Sequence, residues 1–151
     1  MIKIICVGKI KEKYLKDAIS EYQKRLSKYT KIEIIELNDI SNLNKNDIIE
    51  KEGINILNHI KDKEYVITLD INGVKMDSVT FADTLSKTLI INSNIVFIVG
   101  GSYGLSNSVS NRSNFKLSFS DLTFPHQLFR VILLEQIYRS FKILNNETYH
   151  K

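Results

Sequence analysis

Two stretches in the C-terminal half of this 151-residue chain carry residues whose types and order could do chemistry. The first is Gly100-Gly101-Ser102-Tyr103-Gly104, which follows the apolar run Ile95 to Val99 and opens toward a helical segment. Glycines there let backbone amides approach a ligand closely. The loop has neither the GK[ST] ending of a P-loop nor G-x-G-x-x-G spacing, and it follows a late strand, so it makes a poor phosphate loop. Glycines required only for a tight turn remain the alternative. The second stretch, Ser118-Phe119-Ser120-Asp121-Leu122-Thr123-Phe124-Pro125-His126, joins a short strand to the most apolar helix of the chain. Its largely neutral, apolar, amide-rich composition suits an uncharged nucleobase better than a phosphate. Pro125 suits a first helical turn, with Thr123 as a possible cap. His126 could act as a general base near neutral pH or be a structural histidine. The tail Tyr149-His150-Lys151 adds aromatic, titratable and cationic groups at a terminus, where order is usually low.

The elements that must position these groups follow from hydrophobic periodicity. Residues 2 to 7 form a β-branched strand, and Leu15, Ala18, Ile19, Tyr22, Leu26 and Tyr29 recur at helical spacing over 13 to 29. Ile32 to Leu37 reads as a strand, 38 to 46 as an Asn-rich loop, and Ile49, Ile56, Leu57 and Ile60 mark a second helix. A strand at Tyr65 to Leu69 precedes a turn at Asn72-Gly73, after which Ser78 can cap a helix carrying Val79, Ala82, Leu85 and Leu89. Beyond the strand Ile95 to Val99 come a short helix at about 105 to 111, a short strand near Leu117, and a long helix from about Pro125. Strands apolar at every position are buried on both faces, so the fold expected is α/β, a mostly parallel sheet flanked by helices. In such a sheet ligands bind outside the carboxyl ends of the strands, which singles out the loops after Leu69, Val99 and Phe119. The final helix is apolar on nearly all sides, so protein must wrap more than one of its faces, and Glu135 with Arg139 forms an i, i+4 pair.

Composition narrows the classes further. The length and 43% hydrophobic content support a single domain spanning 1-151. The one cysteine, Cys6, lies in an apolar strand, can form no internal disulfide and reads as a core residue of a reducing, cytoplasmic setting. The short N-terminal apolar run ends at Gly8 and is followed by Lys9, Lys11 and Lys13, unlike a signal peptide, and no stretch approaches membrane-spanning length. Twenty-one Lys and Arg against 17 Asp and Glu leave a net +4, compatible with a polyanionic partner.

Taken together, GGSYGL, SFSDLTFPHQLFRVILLEQIYR and the terminal TYHK resemble the ribosomal RNA large subunit methyltransferase H family, minimal enzymes of the SPOUT class. The resemblance runs from MIKIICVGKIKEKY through ITLDING to the last residue. It implies a deep trefoil knot over about 95-151, with the last helix threaded through the loops before it. It implies S-adenosylmethionine as cofactor, held by Leu69, Gly101, Ser120, Asp121, Leu122, Thr123, Phe124 and Pro125. It further implies a homodimer that methylates N3 of a pseudouridine in large-subunit (23S) rRNA of the assembled ribosome, without metal or membrane. An imide nitrogen is a poor nucleophile until deprotonated, so a base and a cation to stabilise the anion are expected. His126 is the candidate for the first role, and Lys151 with Tyr149 and His150 for the second. Lys151 stands where some relatives carry Arg, which keeps the charge and loses the fork. Two other classes share the β/α alternation: a flavodoxin-like nucleotide-binding module, which needs a phosphate loop where this chain has Gly8-Lys9-Ile10-Lys11, and a non-enzymatic ribosome-associated protein.

Overall fold

The computed structural model describes residues 1–151. Elements alternate as β1 (Ile2–Val7), α1 (Lys13–Leu26), β2 (Ile32–Leu37), α2 (Lys45–Leu57), β3 (Tyr65–Lys75), α3 (Ser78–Ile91), β4 (Ile95–Val99), α4 (Asn107–Arg112), β5 (Phe115–Ser118) and α5 (His126–Leu144). The five strands form one sheet in the order β2-β1-β4-β3-β5, with every pairing parallel. β1 and β4 lie at the centre, which explains why every residue of both is buried.

Alternation along these two strands splits the core. Ile2, Ile4 and Cys6 join Ile95, Phe97 and Val99 on the face covered by α1, α3 and α5, whereas Ile5 and Val7 join Val96 and Ile98 under α2 and α4. α5 packs against both α1 and α3, so Leu133, Leu134 and Ile137 are buried completely. That contact satisfies the expectation of a helix wrapped on more than one side. Cys6 is fully buried, and burial pushes its thiol up to about 12, which keeps it unreactive.

Local chemistry departs from the sequence reading in three places. The helix after β3 is capped by Asp77, whose side chain accepts from the Thr80 N–H at 2.7 Å; Ser78 is already the first helical residue. Thr123 does not cap α5, because Pro125 occupies the N-cap position, with no side-chain cap bond. The Asn72-Gly73 pair does not end its strand: β3 continues to Lys75, and Leu69 and Val74 both oppose Leu117, so residues 70 to 73 bulge away from β5. A Cβ on Gly73 would come within 2.7 Å of the Lys116 and Leu117 backbone, so tertiary pairing, not turn formation, requires glycine here.

Candidate functional site

The carboxyl ends of β3, β4 and β5 point the same way, and the loops that follow them enclose a cleft of about 590 Å³. Leu69 begins one wall, Gly101 a second, and Ser120, Leu122, Thr123 and Phe124 a third, with His126 at the edge. The glycine loop is a tight turn in which the Gly104 N–H donates to the Gly101 carbonyl at 3.2 Å. Gly104 has φ of +89°, and nothing lies within 4 Å of where its Cβ would stand, so that position is open as well as left-handed. A Cβ on Gly101, by contrast, would reach within 2.7 Å of Glu52 Oε2. Gly104 thus serves the turn, while Gly101 is required by the close packing of Glu52 against it.

In the third loop the Ser120 hydroxyl accepts from the Leu122 N–H at 2.9 Å, a local turn that fixes the path between strand and helix. Phe119, Phe124 and Phe129 form a connected aromatic floor, with Phe119 edge-on to Phe129 at 5.0 Å and Phe124 stacked on it at 5.8 Å. Asp121 and Pro125 do not line the cleft. The Asp121 carboxylate turns outward to Lys75, 2.7 Å from its ammonium, and Pro125 starts α5.

The three tail residues lie outside the main cleft. Tyr149 packs edge-on against Tyr138 and under the Arg139 guanidinium, and its hydroxyl donates to Glu135 at 3.1 Å. Burial, with Glu135 beside it, pushes the Tyr149 phenol up to about 12. The Glu135–Arg139 pair is formed, at 2.6 Å. His150 sits 3.1 Å from Arg139 and lines a second cleft of about 440 Å³ that shares the Phe119 and Phe124 walls with the first. Lys151 is exposed.

Only Asp70, Tyr103 and His126 among the lining side chains of the main cleft can titrate, and neither Lys nor Arg is present. A phosphate would find no counter-charge, whereas a cationic, partly aromatic ligand meets a carboxylate, open backbone and phenyl rings. Sequence reasoning passed over Asp70 and Phe129, which the bulge and α5 bring to the cleft, and Asn107, which enters it from the start of α4. It also missed Glu52 and Arg130, buried charges that line a polar chamber opening beside Gly101 and His126.

A family model described as "Predicted SPOUT methyltransferase" matches residues 1–150. The ribosomal RNA large subunit methyltransferase H of Clostridium botulinum strain Okra is 56% identical over 157 aligned positions, covering 99% of both chains. That of strain 657 is 55% identical with the same coverage. The chain belongs to this SPOUT methyltransferase family. A solved structure described as a "probable methylase family protein" from Haemophilus influenzae Rd KW20 superposes with a TM-score of 0.54 at 15% identity, over 99% of this chain and 70% of that one, and shows the likeness of fold. The SPOUT assignment makes the chain a methyltransferase whose methyl donor is S-adenosylmethionine, a sulfonium cation bearing an adenine. The main cleft fits that donor by its charge and its aromatic floor. No group of three or more His, Cys, Asp or Glu is placed to hold a metal, and no helix is long and apolar enough to cross a membrane.

Proposed function

We propose that this SPOUT enzyme methylates N3 of a pseudouridine in large-subunit rRNA, acting in the cytoplasm as a homodimer on assembled ribosomes. The observation that carries the reading is the cleft beyond β3, β4 and β5, free of Lys and Arg, with His126 at its edge, in a chain 56% identical to an enzyme named for that rRNA. Leu69, Gly101, Ser120, Leu122, Thr123 and Phe124 hold the cofactor, while Asp121 and Pro125 shape the loop from outside. The cofactor supplies an electrophilic methyl group. The protein aligns it with the target nitrogen, excludes water behind the phenyl floor, and takes the imide proton on His126. Lys151, with Tyr149 and His150, provides charge near the base, and a tail crossing from one subunit to the other's cleft would make each site composite. Lys9, Lys11 and Lys13 contact the rRNA phosphates, so binding weakens steeply with salt.

We read residues 1–151 as one domain, supported by the single sheet, whose two faces carry both halves of the core. We also propose that residues 95–151 form the trefoil knot, a reading supported by the SPOUT family to which the chain belongs.

The deciding experiment is transfer of labelled methyl to intact ribosomes, with free rRNA and separated subunits as controls, followed by mapping of the modified base. Methylation at a pseudouridine N3 is expected, and failure on every substrate would defeat the reading. His126→Ala should slow single-turnover transfer by about 10²- to 10⁴-fold. Deletion of 149–151 with unchanged rate would remove the tail from the chemistry.

A further inference from the structure

Beside the main cleft lies a smaller hollow of about 200 Å³, walled by the turn after β1, by α2 and by the first turns of α5. Gly101, Ser102, Tyr103 and His126 line both spaces and so form the boundary between them. Only Tyr103 and His126 bring rings to that boundary. The two spaces differ in charge. No Lys or Arg lines the main cleft, whereas Lys9 and Lys11 stand exposed on the rim of the hollow, with Asp39 the one exposed acid among its lining residues. Glu52 and Arg130 lie behind that rim, and their unbonded atoms have no exposed surface, so no ligand meets them. An incoming polyanion therefore finds ammonium groups at the hollow and a cleft without cations across the boundary.

Tyr103 is 51% exposed, and its ring stands apart from the packed floor of Phe119, Phe124 and Phe129. The Lys45 ammonium lies 5.9 Å over it, so a third exposed cation is close to the ring. Next to it in the chain, Gly104 leaves open space where a Cβ would stand, with nothing within 4 Å. A flat group thus has room beside an exposed aromatic face. An enzyme that acts on a base must take it out of the helix stack, and an aromatic side chain replaces the stacking that is lost. Such a platform needs no hydrogen bond to the base, only a π-face at the right place.

We propose that Tyr103 is the platform on which the extruded target base stacks, with the nucleotide's phosphate held at Lys9 and Lys11 and the base laid across the boundary toward the cofactor cleft. Lys45 stays behind the ring and adds to the charge. The assignment rests on the reading under Proposed function and deepens it, since it names the side chain that holds the base within the space His126 also lines. Backbone and base are then held by different groups on the two sides of one ring.

The test compares kcat/KM for methyl transfer to intact ribosomes in the wild type, Tyr103→Ala and Tyr103→Phe, with S-adenosylmethionine affinity measured on each by calorimetry. Tyr103→Ala removes the π-face and should lower kcat/KM by about tenfold or more, while cofactor affinity stays within about twofold. Tyr103→Phe keeps the face, loses only the hydroxyl, and should stay within about threefold of the wild type. Normal cofactor binding also shows that the variant is folded with its glycine loop in place. A Tyr103→Ala enzyme within about twofold of the wild type on ribosomes overturns the proposal. So does a loss of cofactor affinity in step with the loss of activity, which would assign the ring to S-adenosylmethionine, and so does a Tyr103→Phe enzyme as impaired as Tyr103→Ala. A wild-type enzyme that methylates no ribosome defeats the functional reading, and this proposal falls with it; the other three outcomes arise only with an active wild type.

Discussion

The molecule buries charge at both ends of its sheet, in two quite different ways. Near the start of β1, Lys3 and Glu64 meet at 2.7 Å with side chains 6% and 4% exposed. The Lys3 ammonium also donates to the His59 carbonyl at 3.0 Å, and the Lys61 N–H reaches Glu64 at 2.8 Å. At the opposite end of β1, Glu52 and Arg130 are equally buried, yet each keeps an atom with no partner. A fully bonded pair leaves no group unsatisfied, whereas an incompletely bonded one is a standing cost to the fold. Burial and charge alone do not separate the two ends; the hydrogen-bond accounting does.

The largest effect expected from this contrast is at the satisfied end. Lys3→Met leaves Glu64 buried without its cation and should cost about 3 to 5 kcal/mol in urea-induced unfolding. Burial pushes Glu64 up, but the Lys3 hydrogen bond and the Lys61 amide outweigh it, so its carboxyl sits below the ordinary range. A carboxyl with a depressed folded value stabilises above its unfolded pKa of about 4.3 and loses that contribution as pH falls through the folded value. The gap between wild type and Lys3→Met should therefore be widest near neutral pH and narrow below about pH 4. A gap that is constant with pH would mean that Lys3 acts through packing alone.

At the unsatisfied end the sign reverses. Glu52→Gln removes an ionised group that the fold solvates poorly, and it should raise stability by about 1 kcal/mol at pH 7. Because the folded value of Glu52 is raised, its contribution is present at low pH and lost as pH climbs through that value. The advantage of Glu52→Gln should thus shrink on acidification. Paired melts at pH 7 and pH 4.5 check this, and a variant less stable than wild type at pH 7 would show that Glu52 holds the Gly101 loop as a structural strut.

How much of this could be read from the sequence depended on whether an element's role is local. β1 and β4 were legible because a central parallel strand must be apolar on both faces, and the three ligand loops followed from the β/α order. The site residues 69, 101, 120 and 122 to 124 gather around one cleft for the same reason. Glu52 was not legible: in KNDIIEKEGINIL it looks like one more solvated helix charge, and only the approach of Gly101 and of the turn after β2 buries it. Arg130 has no sequence signal of its own either: it is buried only because α5 seats it against Val7 and Glu36. The bulge at 70 to 73 was misread as a turn because the pairing that creates it comes from β5, more than forty residues later.

The smallest expected effect comes from a charge pair outside both buried sets. Lys75 and Asp121 meet at 2.7 Å with side chains 53% and 78% exposed, beside the loop that walls the main cleft. Water screens such a pair, and holding two flexible side chains in one geometry offsets most of the attraction. Lys75→Ala should therefore shift stability by less than about 0.5 kcal/mol, with the small effect vanishing in high salt. The measurement also bears on the loop, since Asp121 is the one charged residue between Ser120 and Pro125. If Lys75→Ala weakens S-adenosylmethionine binding severalfold while the melting temperature stays unchanged, the pair orders that loop for its ligand. Unchanged affinity instead leaves the Ser120–Leu122 turn and the phenyl floor as what holds it, a rigidity that needs no charge at all.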